Sequence, residues 1–445
     1  MKLIIIGAGP GGYETALLAA KRGVEVTLIE AGPVGGTCLN EGCIPTKAFC
    51  KNAEVLDSLR EADAFGVTGL SYGFDFSAVT ARKNAVVEQL RGGVEGLLGH
   101  KNITLVRGKA SFKDDHTVVV DNDEYTADYI IIATGSVSAS LPIPGADLPG
   151  ILTSKEILDI QEVPQRLCVI GGGVIGLEFA SIFKSFGSEV TVLEYFKEIL
   201  PRFDSDLSKR LKQSLGKRGI EICTQAQVTD IVQQDGCYKV TYTRKDKEET
   251  VEADKVLMAV GRKANVASLN LSDIGIEFTQ KGIVVDDRTM QTNIPHIYAV
   301  GDINGKMMLA HASTFQGIVA LDHIMGIENE IDLSVMPAAV FTSPEAASVG
   351  MTEEECKAAG IPVKCLKSFF RANGKAVTMG ETDGFCKLIV SDDRILGCHL
   401  YGPHASDIVQ EACALITRKA TLKEFESIIH THPTLTEVLQ SAVHS

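Results

Sequence analysis

A glycine-rich unit that occurs twice in the first half of the chain places the strongest constraint on its fold. The first copy runs from Gly7 to Glu30 and the second from Gly171 to Glu194, with equal lengths. Each copy begins after an apolar run typical of a buried parallel strand, continues through a helical pattern and ends with a second strand. This order predicts two Rossmann-like dinucleotide-binding domains in an α/β chain.

Each glycine of these units has its own structural reason. The first allows a tight turn, the second lets a pyrophosphate approach the backbone, and the third lets the helix pack closely on the strand. The helix N-terminus then faces the phosphates, while the terminal acid accepts hydrogen bonds from ribose hydroxyls. One such motif is weak evidence, but two predict two bound dinucleotides. The glycines are Gly7, Gly9 and Gly12 in the first unit and Gly171, Gly173 and Gly176 in the second.

The acid that ends the second unit bears on the choice of cofactor. A carboxylate at Glu194 repels the 2′-phosphate of NADP, whereas an NADP site has an arginine nearby. Lys197 is close enough in sequence to weaken this repulsion. The sequence therefore predicts NAD in the second domain.

Two cysteines directly follow the first unit. Cys38 comes eight residues after Glu30, and Cys43 follows in the same glycine-containing run. Their C-x-x-x-x-C spacing differs from the C-x-x-C pairs of structural zinc sites. The alternative interpretation is that the two cysteines are buried thiols without a function. Because the pair adjoins a nucleotide unit, we expect a redox-active disulfide that exchanges electrons with the cofactor and with a thiol substrate.

Composition narrows the class of protein. A chain of 445 residues is long enough for about three domains, and its net charge of −14 argues against a nucleic-acid partner. The first strand begins almost at Met1, which leaves no room for a signal peptide, and no apolar run reaches the ~20 residues that span a bilayer. Eleven scattered cysteines do not resemble a secreted disulfide framework. We therefore expect a cytoplasmic protein that binds no membrane.

The remaining segments suggest how the domains are ordered. Strands predicted at 128–134 and 297–300 look like returns to the first domain, and Asp302 follows the second of them. Such an Asp could bind a cofactor hydroxyl, although a turn or a helix cap is the commoner role. From about residue 332 the pattern becomes that of a separate α+β domain. We predict a first nucleotide domain at 1–148, a second at 149–257, a central part returning to the first at 258–328, and a C-terminal domain at 329–445.

A histidine near the C-terminus is the last candidate. His432 precedes Pro433, and Glu437 follows five residues after the histidine. A histidine can shuttle protons between thiols, and a carboxylate can orient its ring. Taken alone, a surface His-Pro turn before a helix is the commoner reading.

Five motifs together resemble the pyridine nucleotide-disulfide oxidoreductases, over essentially the whole chain. They are GAGPGGY, GGTCLNEGCIPTK, GGGVIGLE, AVGD and HTHPTLTE. The resemblance implies FAD in the first domain, NAD in the second and a C-terminal dimerisation domain. It is greatest to the branch of the family that reoxidises lipoyl groups. The resemblance also implies that His432 is a catalytic residue and not part of a surface turn without function.

The resemblance assigns further residues to the two cofactor sites. Glu30 would bind the adenosine ribose of FAD and Asp302 its ribityl chain, while Lys47 and Glu178 would form a Lys–Glu pair beside the flavin. The FAD site would also include Ala110, the turn Thr134, Gly135 and Ser136, and the stretch Met308, Leu309, Ala310 and His311. The NAD site would include, besides the glycines of the second unit, Glu178, Glu194, Val228 and Gly261.

The implied reaction is the oxidation of a protein-bound dihydrolipoyl group. His432, oriented by Glu437, would take a proton from the dithiol, and the thiolate would attack Cys38 and release Cys43. Electrons would pass to FAD and then as hydride to NAD⁺. The histidine would come from the partner subunit of a homodimer. The lipoylated carrier would be a 2-oxoacid dehydrogenase acyltransferase or a glycine-cleavage carrier, and the sequence does not distinguish the two.

Three other functions stay open at this point. A glutathione reductase-like activity would favour arginines around Glu194, and a mercuric reductase would carry a further C-terminal cysteine pair, which this chain lacks. A non-catalytic NADH-sensing flavoprotein would not need the cysteines or the His–Glu pair. The chain also departs from its relatives at Glu41, between the cysteines, and at Ser313, where alanine is common.

Overall fold

The computed structural model describes residues 1–445 and contains 25 strands and 12 α-helices. The strands are β1 Lys2–Ile6, β2 Glu25–Glu30, β3 Ile103–Arg107, β4 Ala110–Phe112, β5 Thr117–Val120, β6 Asp123–Thr126, β7 Tyr129–Ile132, β8 Ser136–Ser138, β9 Ile151–Leu152, β10 Arg166–Ile170, β11 Glu189–Glu194, β12 Ile220–Thr224, β13 Gln227–Gln234, β14 Cys237–Arg244, β15 Lys247–Ala253, β16 Lys255–Met258, β17 Arg262–Ala264, β18 Phe278–Thr279, β19 Gly282–Ile283, β20 Ile297–Ala299, β21 Ala338–Val340, β22 Glu345–Gly350, β23 Lys364–Phe369, β24 Phe385–Ser391 and β25 Arg394–Gly402. The helices are α1 Pro10–Lys21, α2 Gly36–Glu41, α3 Cys43–Arg60, α4 Phe76–Leu98, α5 Val174–Phe186, α6 Ser205–Lys217, α7 Ala310–Met325, α8 Glu353–Ala358, α9 Gly374–Met379, α10 Ala405–Thr417, α11 Leu422–Glu426 and α12 Glu437–Val443.

The chain divides into two compact units. The first consists of residues 1–48, 77–139 and 261–333, and the second of residues 49–76, 140–260 and 334–445. Both units are therefore discontinuous in sequence, because the chain leaves the first unit and returns to it twice. None of the helices is long and apolar enough to cross a membrane.

A five-stranded parallel sheet forms the centre of the first unit, in the order β20-β7-β1-β2-β3. Successive residues of β1 point to opposite faces, and both faces are covered. Leu3 and Ile5 belong to one buried cluster, while Ile4 and Ile6 belong to another. This double burial explains why β1 is a continuous apolar run rather than an alternating one.

The second unit repeats this sheet and adds an antiparallel one. Its parallel sheet has the order β12-β11-β10-β16-β9, in which β10 and β11 are the counterparts of β1 and β2. The C-terminal part forms an antiparallel sheet in the order β21-β22-β25-β24-β23, against which α10 and α12 pack. The predicted architecture, two dinucleotide-binding folds with a C-terminal α+β part, is confirmed.

Most of the predicted elements are confirmed, with shifted ends. The strands predicted at 128–134 and 297–300 are the shorter β7 and β20. The helix after the first glycine turn begins at Pro10, since proline fits the first helical position, where its missing N–H costs nothing. The first strand of the C-terminal α+β part covers only Ala338–Val340, because Pro337 has no N–H to donate to a sheet. Sequence patterns did not predict the long helices α3 and α4, nor the three-stranded sheet β13-β14-β15.

Candidate active site

The first glycine turn of the chain has no space for side chains. Gly7 has a φ of 106°, and a Cβ on it would lie 2.4 Å from the carbonyl oxygen of Ala133. A Cβ on Gly12 would lie 1.8 Å from the carbonyl oxygen of Gly7. These two positions therefore require glycine, one for its positive φ and the other for the close contact of helix and strand.

The second turn has nearly the same geometry. Gly171 has a φ of 113°, and a Cβ on it would lie 2.3 Å from the carbonyl oxygen of Ala259. A Cβ on Gly176 would lie 2.0 Å from the carbonyl oxygen of Gly171. The sequence repeat is thus a repeat of backbone geometry.

The N-termini of helices α1 and α5 fit the pyrophosphates of FAD and NAD. Gly9 and Gly173 are their N-cap residues, and neither helix has a capping side chain or an acidic residue in its first turn. A Cβ on Gly173 would meet nothing within 4 Å, so the space in front of that helix is open. The unused backbone N–H groups and the positive end of each helix dipole suit a bound phosphate.

The glutamates at the ends of β2 and β11 accept equivalent hydrogen bonds from backbone N–H groups. Glu30 accepts hydrogen bonds from the N–H groups of Ala8 (2.6 Å) and Gly32 (2.7 Å). Glu194 accepts from the N–H groups of Gly172 and Phe196. Each carboxylate is therefore fixed beside its glycine turn. A carboxylate oxygen has a second lone pair, so both acids can still accept hydrogen bonds from ribose hydroxyls.

A surface recess of about 410 Å³ adjoins the end of β11. It is lined by Tyr195, Phe196, Lys197, Gln225, Gln227, Thr243, Lys245 and Asp246. Lys197 was predicted to weaken the repulsion of NADP by Glu194. Lys245 was missed, because it lies in the turn between β14 and β15 and nothing in its sequence surroundings relates it to Glu194.

Asp302 belongs to a polar cluster in the first unit. It accepts a hydrogen bond from the hydroxyl of Ser136, and Arg262 Nε lies 3.8 Å from the same carboxylate. Arg262 also donates to the Ser136 hydroxyl at 2.7 Å and to the Ser136 carbonyl at 2.8 Å. The structure thus brings together two of the predicted FAD residues. It adds Arg262, whose only sequence signal was its place beside Gly261.

Other residues expected at the FAD site lie in the same unit. Thr134 donates its hydroxyl to the carbonyl of Asn265 at 3.1 Å, and the adjacent Gly135 has a φ of 69°. Ala110 is buried in β4. Met308 and Leu309 lead into α7, which begins at Ala310 and His311 without a capping side chain.

Ser313, where relatives often have alanine, lies at the contact between α7 and α1. A Cβ on Gly11 would lie 2.1 Å from its hydroxyl oxygen, and a Cβ on Gly301 would lie 2.6 Å from the same atom. The glycines leave room for the hydroxyl group, so the serine is accommodated without disturbing this part of the fold.

The cysteine run packs directly on the first glycine turn. Gly35 donates its N–H to the carbonyl of Ala8 at 2.8 Å, and a Cβ on Gly36 would lie 2.6 Å from the Cα of Gly9. Asn40 then fixes α2 by donating to the carbonyls of Val34 and Gly36 and accepting from Arg91. This close approach of backbones holds the cysteines next to the phosphate-binding turn.

Both cysteines of the pair are thiols, Cys38 half-buried in α2 and Cys43 exposed at the start of α3. The hydrogen-bonding contact with Cys43 and burial raise the pKa of the Cys38 thiol well above its ordinary value. The charge of Lys47, one turn further along α3, acts in the opposite direction. In the dithiol form, Cys38 therefore retains its proton.

The remaining residues expected at the NAD site are divided between the units. Glu178 is buried in α5 and accepts a hydrogen bond from the N–H of Phe341 at 3.0 Å. Val228 is buried in β13. Gly261 belongs to the first unit, has a φ of 113° and accepts a hydrogen bond from the N–H of Ala139 at 2.9 Å.

The C-terminal histidine and its acid form a pair in the second unit. His432 Nδ1 lies 2.8 Å from Glu437 Oε1, and the N–H of Thr434 donates to Glu437 Oε2 at 2.7 Å. These bonds lower the pKa of the Glu437 carboxyl below its ordinary value. With Nδ1–H donated to the carboxylate, Nε2 is the basic nitrogen, and the His432 side chain is 78% exposed. The pair can therefore accept a proton at Nε2.

Comparison with known proteins agrees with this geometry. Residues 1–317 match the family of pyridine nucleotide-disulphide oxidoreductases, and residues 336–443 match the dimerisation domain of that family. The chain therefore belongs to the pyridine nucleotide-disulphide oxidoreductases. It is an NAD-dependent flavoprotein disulfide oxidoreductase whose cofactors are FAD and NAD.

Several relatives match nearly the whole chain. The dihydrolipoyl dehydrogenase of Chlamydia muridarum is 42% identical over 98% of this chain and 94% of that protein. That of Staphylococcus aureus is 39% identical over 99% of this chain and 95% of its own length. Among solved structures, LpdA from Mycobacterium tuberculosis superposes with a TM-score of 0.93 at 27% identity, covering 100% of this chain and 99% of that one. The HOCl-induced flavoprotein disulfide reductase RclA from Escherichia coli has a TM-score of 0.89 at 30% identity, with 100% and 99% covered.

Proposed function

We propose that this enzyme has the activity of a dihydrolipoyl dehydrogenase and oxidises the dihydrolipoyl group of a carrier protein. The bond from His432 Nδ1 to Glu437 is the observation that carries the proposal, because it leaves Nε2 free to take a proton from a thiol. The full-length similarity to dihydrolipoyl dehydrogenases supports it. The similarity favours neither a glutathione reductase-like activity nor a non-catalytic sensor.

In the proposed first step, His432 Nε2 takes a proton from one thiol of the substrate. The resulting thiolate attacks Sγ of Cys38 in the Cys38–Cys43 disulfide, which forms a mixed disulfide and releases Cys43 as a thiolate. Thiol–disulfide exchange needs a thiolate as the attacking group, so the base is required. Glu437 holds the imidazole ring and stabilises the imidazolium that forms.

In the second step, the remaining substrate thiol attacks the substrate sulfur of the mixed disulfide. The substrate leaves as a cyclic disulfide, and Cys38 departs as a thiolate that regains a proton, as its raised pKa favours. Two substrate S–H bonds are thus exchanged for one S–S bond, and the enzyme pair is reduced. FAD, when bound, supplies the electron acceptor that returns the pair to the disulfide and passes a hydride to NAD⁺.

The dimer and the partner follow from the same proposal. The dimerisation domain at 336–443 contains His432, and we propose that the histidine serves the cysteine pair of the partner subunit in a homodimer. The carrier would be the lipoylated acyltransferase of a 2-oxoacid dehydrogenase or a glycine-cleavage carrier. The eleven cysteines, an odd number scattered along the chain, fit a reducing compartment such as the cytoplasm.

The direct test is NAD⁺ reduction by dihydrolipoamide with FAD-loaded enzyme. We expect turnover with dihydrolipoamide and none with reduced glutathione, and Cys43→Ser should abolish it while FAD stays bound. Cys237→Ser is the matched control, since this cysteine lies in β14 and donates to the carbonyl of Gln234. Turnover with glutathione alone, or normal turnover by Cys43→Ser, would contradict the proposal.

A further inference from the structure

A second histidine lies two residues before His432, in very different surroundings. The side chain of His430 is only 5% exposed, and its ring packs edge-on against Phe425 with the centroids 5.5 Å apart. It belongs to the irregular segment 427–436, which links α11 to α12 and carries His432. The burial of His430, two residues from the exposed His432, therefore suggests a separate role for its imidazole ring.

Both ring nitrogens of His430 face oxygen atoms. Nδ1 lies 3.1 Å from the carbonyl oxygen of Ile428, and Nε2 lies 2.8 Å from Oε1 of Glu411 on α10. A carbonyl oxygen and a carboxylate oxygen only accept hydrogen bonds. A neutral imidazole has one N–H and would leave one of these contacts without a proton, whereas the imidazolium has two.

We propose that Glu411 holds His430 in the imidazolium form, and that this buried cation positions the segment carrying His432 and places a positive charge near Glu437. This inference rests on the proposed role of His432 as the proton acceptor. His430 is a positioning residue, because it acts through its neighbours and touches no substrate.

The contacts at the two ends of the segment support the positioning role. At its start, His430 is tied to α10 through Glu411. At its end, the carbonyl of Thr434 accepts a hydrogen bond from Asn373 at 3.0 Å, and its N–H donates to Glu437. His432 lies between these two anchors, so loss of the first one would release one side of the catalytic residue.

The charge has a second effect, on Glu437. Glu411 on α10 contacts the ring of His430, and the positive charge of His430 acts on Glu437 on α12. The pKa of Glu437 is lowered chiefly by the hydrogen bonds from His432 and Thr434, and the positive charge of His430 adds to that lowering. Removing this charge makes Glu437 easier to protonate, and a protonated Glu437 no longer stabilises the imidazolium of His432.

The charge on His430 can be measured directly by NMR on the intact FAD-loaded enzyme. The chain has ten histidines, and with ¹³C in the ring Cε1 position each gives one signal. The His430 signal is the one lost in His430→Gln. We expect it at the imidazolium position and unchanged between about pH 6 and pH 8.5. A His430 signal that moves to the neutral imidazole position over this pH range would overturn the proposal.

The positioning role is tested by the pH profile of kcat/KM with dihydrolipoamide. His430→Gln removes the charge and should move the acidic limb to higher pH by about 0.5 unit. His430→Lys keeps a cation opposite Glu411 and should keep the wild-type limb. His404→Asn, a change in an exposed His–Asp pair of the same unit, is the control. A uniform loss at every pH in both His430 variants would mean a structural role alone and would overturn the inference.

A folding control and a further variant keep the proposal testable even if the His430 variants do not fold. Flavin reduction by NADH with a small acceptor reports whether each variant is folded. If neither is, Glu411→Gln removes the counter-ion with little change of shape, and one histidine signal that stays at the imidazolium position in the wild type should then titrate. If no histidine signal changes from fixed to titrating in Glu411→Gln, the proposal is contradicted. His432→Ala separates the two hypotheses, since full dihydrolipoamide activity in that variant would refute the proposed function itself.

Discussion

His432 Nδ1 lies 2.8 Å from Glu437 Oε1, and the carboxylate is fixed in turn by the N–H of Thr434. The carboxylate determines which ring nitrogen carries the proton and which is the base. Glu437 is also the first residue of α12, where the positive end of the helix dipole favours the ionised form. The hydrogen bonds to Glu437 and its position at the start of α12 therefore both favour the ionised carboxylate.

The first prediction concerns this pair. His432→Ala should lower turnover with dihydrolipoamide by about 10²–10⁴-fold, the usual cost of removing a general base, and Glu437→Gln should cost less. Reduction of a small artificial acceptor by NADH should continue in both variants, because that reaction does not need the proton acceptor. Equal loss of both activities would indicate a damaged fold instead of a lost base.

The second prediction tests whether the histidine acts across a dimer. Cys43→Ser and His432→Ala proteins should each have little or no activity alone. When their subunits exchange, part of the activity should return. A mixed dimer would have one site with both defects and one with neither. If exchange is verified by mass spectrometry of differently tagged subunits and no activity returns, the histidine does not act in trans.

The third prediction concerns NAD and NADP. Repulsion of a 2′-phosphate by Glu194 should favour NAD by about a hundredfold in kcat/KM, at about 1.4 kcal/mol for each factor of ten. Because Lys197 and Lys245 line the adjacent recess, replacing both with alanine should increase this preference. Glu194→Ala should decrease it. Equal specificity constants in the wild type would show that the lysines neutralise the carboxylate.

The fourth prediction concerns Arg262. Arg262→Met removes the hydrogen bonds to Ser136 and leaves Asp302 without a neighbouring cation, so FAD should bind about tenfold more weakly, or worse. FAD release on dilution, followed by flavin fluorescence, measures this. Lys113→Met, which breaks an exposed Lys–Glu pair in the same unit, is the control and should retain FAD. Unchanged FAD binding in Arg262→Met would remove Arg262 from the site.

The fifth prediction concerns a buried cation in the second unit. Lys387 is 1% exposed and contacts Asp204, Asp206 and Glu353. Lys387→Met leaves a buried carboxylate without its partner and should lower the free energy of unfolding by about 3–5 kcal/mol. Lys367→Met, at an exposed partner of Asp206, should cost at most about 1 kcal/mol. Thermal or denaturant unfolding of both variants measures the difference. An equal loss of unfolding free energy in the two variants would contradict the prediction.

This cluster should also give the protein an acid-sensitive stability. Lys367 and Lys387 lower the pKa of Asp206 to about 2, and Lys357 and Lys387 lower that of Glu353 to about 2. Carboxyls with a lower pKa in the folded state stabilise it fully above their unfolded pKa, and this contribution is lost as the pH falls towards 2. The melting temperature should fall between about pH 5 and pH 2, less steeply in Lys387→Met.

The amino-acid sequence by itself determined the repeated dinucleotide-binding fold and led to the roles proposed for the cysteine pair and for His432 with Glu437. Gly7 and Gly171 need a positive φ, and Gly12 and Gly176 need the space of a missing side chain, so these constraints are local and can be read from spacing. The distance along the chain from Cys38 to Cys43 and the short run from His432 to Glu437 are local in the same way.

Only the tertiary structure decided the contacts between distant segments. Arg262 reaches Ser136 and Asp302, Lys245 joins Lys197 at one recess, Lys387 is buried among three acids, and His430 meets Glu411. In each case the partners come from different strands, helices or turns. Their side chains meet because sheet order and helix packing bring the segments together. The residue pattern of one segment contains no trace of the charge it will meet on another segment. Local periodicity and spacing therefore could not reveal these contacts.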